Sequence, residues 1–164
     1  MKVLLKPIAF IILISTAFTL MSLSKPVGKK NKKTTIKNLN PKIQVAILLD
    51  VSNSMDGLIE QAKAQLWNMV STMGKAQCND QTPKIEIALY EYGRSTNDKA
   101  EGYVKQINGF TGDLDQLSKK LFNLTTNGGD EYCGHVIYTS LKELNWDSSS
   151  ANYKVIFIAG NEDF

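Results

Sequence analysis

The sequence predicts an α/β domain: a doubly wound, mostly parallel sheet with one antiparallel edge strand. Three observations lead there. Apolar, β-branched-rich runs alternate with stretches of helical period, the pattern of strands and the helices that cover them. The first run, residues 42–50, is continuously apolar rather than alternating, as strands buried on both faces are. One pair of runs is joined by too few residues for a helical crossover, so that pair is expected to be antiparallel.

The first strand is "KIQVAILLD", residues 42–50. In "MDGLIEQAKAQLWNMVSTM", Leu58, Ile59, Ala62, Leu66, Met69, Val70 and Met73 fall on one helical face, and Glu60, Lys63 and Asn68 on the other. Gly74 is the expected stop. "KIEIALYEYG" (84–93) reads as the second strand and "GYVKQINGF" (102–110) as the third, joined by the polar "RSTNDKAE". "TGDLDQLSKKLFNL" is a short helix capped by Thr111 or Asp113. "TTNGGDEYCG" is a loop, with Gly128 and Gly129 giving it backbone freedom. "HVIYTSLKELNW" is a helix and "YKVIFIAG" (153–160) the last strand, giving the order β-α-β-β-α-α-β. The chain stops at "NEDF" just after that strand. A core strand there leaves an open sheet edge, so the domain is expected to be incomplete after its fourth strand.

The 164 residues suffice for one domain with a sizeable core. Residues 1–41 hold eight lysines and no acid, whereas residues 42–164 hold eleven basic and sixteen acidic side chains, a balance of −5. The basic character belongs to the head of the chain, and no nucleic-acid partner is expected from it. That head reads as a signal peptide over residues 1–24: Lys2 and Lys6, the fourteen-residue, mostly apolar stretch "IAFIILISTAFTLM", then small residues at Ser22–Ser24. A membrane anchor over residues 7–24 is the alternative, supported by the basic flank that follows. Residues 25–41 have the composition of a basic, disordered linker, whose residues 25–37 could touch a membrane or cell envelope. The globular part is residues 42–164, and the chain is expected to be exported, periplasmic or extracellular. Cys78 and Cys133 are expected not to pair, since a helix about 25 Å long, at 1.5 Å per residue, separates their ends of the sheet.

Ligand sites in open α/β sheets lie beyond the carboxyl ends of the strands. Asp50, Ser52 and Ser54 fall there, as do the "GGDEYCG" loop and "GNED" at 160–163. Oxygen-only ligands suit a hard cation, Mg²⁺ before Ca²⁺ or Mn²⁺. Alone, "DVSNS" also reads as a strand end followed by a helix cap, with Ser52, Asn53 or Ser54 bonding free amides. A zinc cluster of Asp130, Glu131, Cys133 and His135 lacks a second Cys/His pair. A serine hydrolase lacks a nucleophile elbow, and "DVS" lacks the second acid of an aspartyl phosphatase. Tyr90 and Tyr92 are expected to pack under a helix.

"DVSNS" after an apolar strand and before an amphipathic helix resembles the metal-ion-dependent adhesion site (MIDAS) of the von Willebrand factor A (vWA) domain family, a Rossmann-like fold. The resemblance covers roughly residues 42–164. It implies a metal site of the Asp-x-Ser-x-Ser type at Asp50, Ser52 and Ser54, with Asp50 acting largely through water. The family adds a threonine from the second loop, where this chain has Glu131, or Asp130 on a shifted alignment. The family's aspartate after the fourth strand faces Gly160 and Asn161, with Glu162 and Asp163 just beyond. One carboxylate has thus moved from the last loop to the second, which makes the open coordination position less electrophilic toward an acidic ligand. The expected function is a binding module, not an enzyme. It would engage another protein, through a divalent cation and an acidic side chain of the partner. A metal-assisted hydrolase and a metal-free scaffold are the alternatives.

Overall fold

A computed structural model describes residues 41–77 and 81–161, all within the unit Asn38–Phe164. The expected signal, most of the linker, Cys78, Glu162 and Asp163 lie outside the described residues.

Among the described residues, four strands form one sheet in the order β3-β2-β1-β4: β1 is Lys42–Asp50, β2 Lys84–Tyr92, β3 Lys105–Thr111 and β4 Tyr153–Ala159. β1 runs parallel to both β2 and β4, while β3 pairs antiparallel with β2, with register shifts near Leu89. A fold of three parallel strands and one antiparallel edge strand is the one the connection lengths predict. β1 is flanked on both sides and is buried from Gln44 to Asp50, whereas β4 has one neighbour and is only half-buried over Val155–Ala159.

Side-chain parity distributes the core. Val45, Ile47 and Leu49 of β1 and Ile87 and Leu89 of β2 face helices α1 (Ile59–Met73) and α2 (Leu114–Phe122). Ala46 and Leu48 of β1, with Ala88, Tyr90 and Tyr92 of β2, face α3 (Cys133–Glu143). The tyrosines pack under a helix as expected. α2 is capped by Asp113, whose carboxylate accepts from the Gln116 amide at 2.9 Å, while Thr111 accepts from the Asp113 amide. Gly74 ends α1 in right-handed geometry, so it stops the helix without the left-handed turn that glycine usually supplies there.

One expectation fails on α1. Lys63, assigned by helical period to the solvent face, is 1% exposed. α2 and its following turn cover that face, and the Lys63 ammonium reaches out of the core. It donates to Glu60 at 2.6 Å and to the Phe122 carbonyl, at the end of α2, at 3.2 Å. Conversely Leu58, placed on the apolar face, is 45% exposed just before the first turn. Among the described residues, no helix is long and apolar enough to cross a membrane.

Candidate functional site at the strand tips

β1 delivers Asp50 to the carboxyl edge of the sheet, in register with Tyr92 of β2 and on the face that α3 covers. The chain then turns through Val51 and Ser52 into a single 3₁₀ turn, Asn53–Met55, before α1. That turn satisfies its own backbone: Met55, Asp56 and Leu58 amides bond the carbonyls of Ser52, Asn53 and Met55. Neither it nor α1 takes a side-chain cap. The helix-cap reading of Ser52 and Ser54 is therefore wrong for this chain, and both hydroxyls are left for another use.

They use each other. The Ser52 and Ser54 Oγ atoms lie 2.8 Å apart, and the Ser54 hydroxyl donates to Asn161 Oδ1 at 2.9 Å. Ser52 is buried and Ser54 exposed, so the pair leads from the interior to the surface. Asp50 is fully buried; its Oδ1 accepts from the Ser52 amide at 2.8 Å. Its Oδ2 is buried with no hydrogen-bond partner among the described residues. A buried, half-satisfied carboxylate is costly. Burial pushes the Asp50 carboxyl above the usual range against the hydrogen bond from the Ser52 amide, and the Glu131 carboxylate adds to the rise. Tyr92 is raised as well, first by burial and then by the charge of Asp50.

The second loop arrives by close backbone contact. The Asn127 amide bonds the Val51 carbonyl at 2.8 Å, and Gly129 lies against the backbone of Gly93–Ser95, where a Cβ would collide with the Gly93 carbonyl. Gly93, just past β2 at φ +82°, sits between the segments. A Cβ there would lie 3.0 Å from Asp50 Oδ1, 3.2 Å from Ser52 Cβ and 3.3 Å from Glu131 Cγ. Those three distances place Glu131, half-buried, beside Asp50 and Ser52. Asp130 is exposed, and it contributes no charge to the causes that shift Asp50. Thr126 bonds Asp56 instead of turning to this centre, and the Thr125 carbonyl is held by Arg94 at 2.6 Å.

β4 closes the third side. A Cβ on Gly160 would lie 3.2 Å from both Cβ and Oδ2 of Asp50, so this backbone rests against the bare oxygen and carries Asn161 to Ser54. Asn161 is a member of the cluster that pattern reasoning left out of the candidate ligands. Its signal was positional only, a polar side chain two residues beyond a core strand. Cys133 opens α3 beneath this edge, its thiol pushed up by burial. His135 stands exposed in the first turn against Gly102.

The donor set fits a hard cation by its chemistry: one buried carboxylate with a bare oxygen, two linked hydroxyls and a second carboxylate nearby. It does not fit zinc by cluster: among the described residues no three His, Cys, Asp or Glu side chains converge as a metal site.

No family model matches the chain, and no curated protein matches it. Solved structures do. The vWF domain of the type V pili tip protein Mfa5 from Porphyromonas gingivalis superposes with a TM-score of 0.51 at 23% identity, over 72% of this chain and 37% of that one. The pilus adhesin SpaC from Lactobacillus rhamnosus GG gives a TM-score of 0.53 at 17% identity, over 74% of this chain and 15% of that one. The SpRpn10 VWA domain gives 0.50 at 13% identity, over 71% of this chain and 58% of that one. The match therefore spans less than two thirds of each of these proteins. At such identities the likeness speaks for architecture, and it agrees with the order and direction of the strands: this chain has a von Willebrand factor A-like fold.

Proposed function

We propose that the strand-tip face is a protein-binding surface of an exported module, centred on a divalent-cation site at Asp50, Ser52 and Ser54, with Glu131 as the displaced acid. The observation that carries this reading is Asp50 Oδ2, buried and without a hydrogen-bond partner among the described residues, with the linked Ser52 and Ser54 hydroxyls just after it in the chain. A fold with no use for that charge would place a neutral side chain there or supply a donor. When bound, the cation would offer a Lewis-acidic position to an oxygen of the partner. Asp50 would hold its charge in place, largely through water, and Ser52 and Ser54 would present hydroxyl oxygens. Mg²⁺ is the ion this set suits first, with Ca²⁺ and Mn²⁺ as alternatives. Asp130, exposed one residue away, is assigned no contact with the ion.

Two pilus proteins carry modules of this architecture on their own longer chains. That precedent supports adhesion or assembly over catalysis, and the basic, apolar head of this chain supports export. Calorimetric titration of Mg²⁺ into the full chain and into Asp50→Ala tests the proposal. Heat in the first and none in the second is expected. Equal heats would leave a metal-free scaffold, and phosphoester turnover lost in Asp50→Ala would replace the binding module by a hydrolase.

A further inference from the structure

We infer that Asn161 is a positioning residue of the strand-tip site: by accepting the Ser54 proton it turns the hydroxyl relay away from Asp50 and leaves the centre lined by lone pairs. The inference rests on the cation-binding reading above and adds to it a residue and a direction.

The direction follows from what each group can donate. The Asn161 amide lies against two atoms of Ser54, with Oδ1 2.9 Å from Oγ and Nδ2 3.5 Å from the backbone carbonyl oxygen. A carbonyl oxygen only accepts, so it must face the NH₂ end of the amide; the flipped amide would set two acceptors against each other. Oδ1 therefore faces the Ser54 hydroxyl, and Ser54 spends its single proton on Asn161. The 2.8 Å contact between Ser52 and Ser54 then has one possible donor, Ser52. The Asp50 carboxylate is the other acceptor open to the Ser52 hydroxyl, and the two compete for its one proton. With its proton committed to Ser54, it cannot cap Asp50.

The relay runs Ser52 to Ser54 to Asn161, outward from the buried end. Asp50 Oδ2 stays bare, Ser52 Oγ keeps both lone pairs, and Ser54 Oγ keeps one. Run the other way, Ser54 would donate to Ser52 and Ser52 to Asp50, and the carboxylate would be capped by a proton. A hard cation binds the first arrangement and is repelled by the second. The position of Asn161 is set by β4: Gly160 packs on Asp50, and the next residue reaches over to Ser54. Groups that orient ligand atoms in this way are worth about 10- to 100-fold in metal affinity.

The test compares the full chain with Asn161→Leu and Asn161→Asp. Leucine neither accepts nor donates, which frees the relay to reverse. Aspartate accepts without donating and so keeps the direction. Mg²⁺ titration is expected to show binding at least about 10-fold weaker in Asn161→Leu and undiminished in Asn161→Asp. Asn161 is exposed, so the thermal midpoint is expected to move little. A second readout needs no metal. In chelated protein the buried Ser52 hydroxyl proton is expected to show a nuclear Overhauser contact to the Ser54 β-protons, lost in Asn161→Leu and kept in Asn161→Asp. Equal Mg²⁺ affinity and an unchanged hydroxyl contact in Asn161→Leu would overturn the inference and leave the cation reading standing. A hydroxyl contact that responds as expected in a protein that binds no Mg²⁺, Ca²⁺ or Mn²⁺ would overturn the cation reading while supporting the relay.

Discussion

Two glycines provide a matched experiment on how tightly the strand-tip segments are packed. Gly57 and Gly93 adopt φ values of +83° and +82°, so alanine at either carries the same left-handed backbone cost, about 1–2 kcal/mol. Their surroundings differ. A Cβ at Gly57 meets nothing within 4 Å, whereas one at Gly93 meets Asp50 Oδ1 at 3.0 Å, Ser52 Cβ at 3.2 Å and Glu131 Cγ at 3.3 Å. Three such contacts, two from the end of β1 and one from the second loop, crowd the position, and overpacking of that kind costs about 1–3 kcal/mol. Gly57→Ala is therefore expected to destabilise by about 1–2 kcal/mol and Gly93→Ala by about 2–5 kcal/mol. Urea unfolding read as midpoint shifts at constant slope measures both. A difference between the two below about 0.5 kcal/mol would refute the claim that Asp50, Ser52 and Glu131 crowd one point.

Asp50→Asn removes a buried charge: because the folded carboxyl titrates above its ordinary 3.8, the folded state holds the proton more tightly. Wild-type stability then falls as pH rises through the interval between that value and the raised one. In chelator at pH 7 the variant is expected to melt higher than wild type, the gap closing below about pH 3.8; a lower melting point at both pH values would sink this reading. Arg94 grips the buried Glu91 through two N–H donors at 3.0 and 3.1 Å. Arg94→Met strands that carboxylate with Asn97 as its remaining donor, and a loss of about 3–5 kcal/mol is expected by chemical denaturation. Leu117→Ala opens a fully buried site and is expected to cost about 2–5 kcal/mol, whereas Leu141→Ala, 56% exposed, is expected to stay within about 0.5 kcal/mol in the same assay.

The sheet was readable because β1 and β2 carry unbroken apolar runs, and because the polar "RSTNDKAE" link is too short for a crossover. The strand-tip triad was readable for a local reason: alternate residues leaving a strand stay close in space. Glu131 needed a second segment. The sequence narrowed it to Glu131 or Asp130, and contacts around Gly93 set Glu131 beside Asp50 and leave Asp130 in solvent. Asn161 was visible as a departure from the family pattern but not as a partner of Ser54, because their approach depends on how far β4 runs past β1. Lys63 was misplaced for a related reason. Helical period shows which face is apolar, but not that the next helix will lean over the polar face and bury a lysine stem while its ammonium finds Glu60 and a helix-end carbonyl. Local geometry follows from local sequence; contacts between distant segments require the packed fold.

Charge at the centre bears on what kind of partner it can hold. Asp50 and Glu131 together would balance a divalent cation bound there, so a loaded site would be close to neutral, and an acidic ligand would gain little from the field it entered. Glu131→Thr removes one of those charges. At an effective dielectric near 20, unit charges about 4 Å apart interact by about 4 kcal/mol. Glu131 is half-exposed, and solvent screening reduces this to the order of 1 kcal/mol, about 5-fold in affinity. The substitution is therefore expected to act in opposite directions on two titrations. Mg²⁺ should bind the variant about 5-fold more weakly, while acetate should bind the Mg²⁺-saturated variant about 5-fold more tightly than saturated wild type. Both effects follow from one carboxylate beside the ion, and neither follows from a loop that has merely lost its packing, which would weaken both. If acetate binds the saturated variant more weakly, Glu131 does not set the charge of this centre.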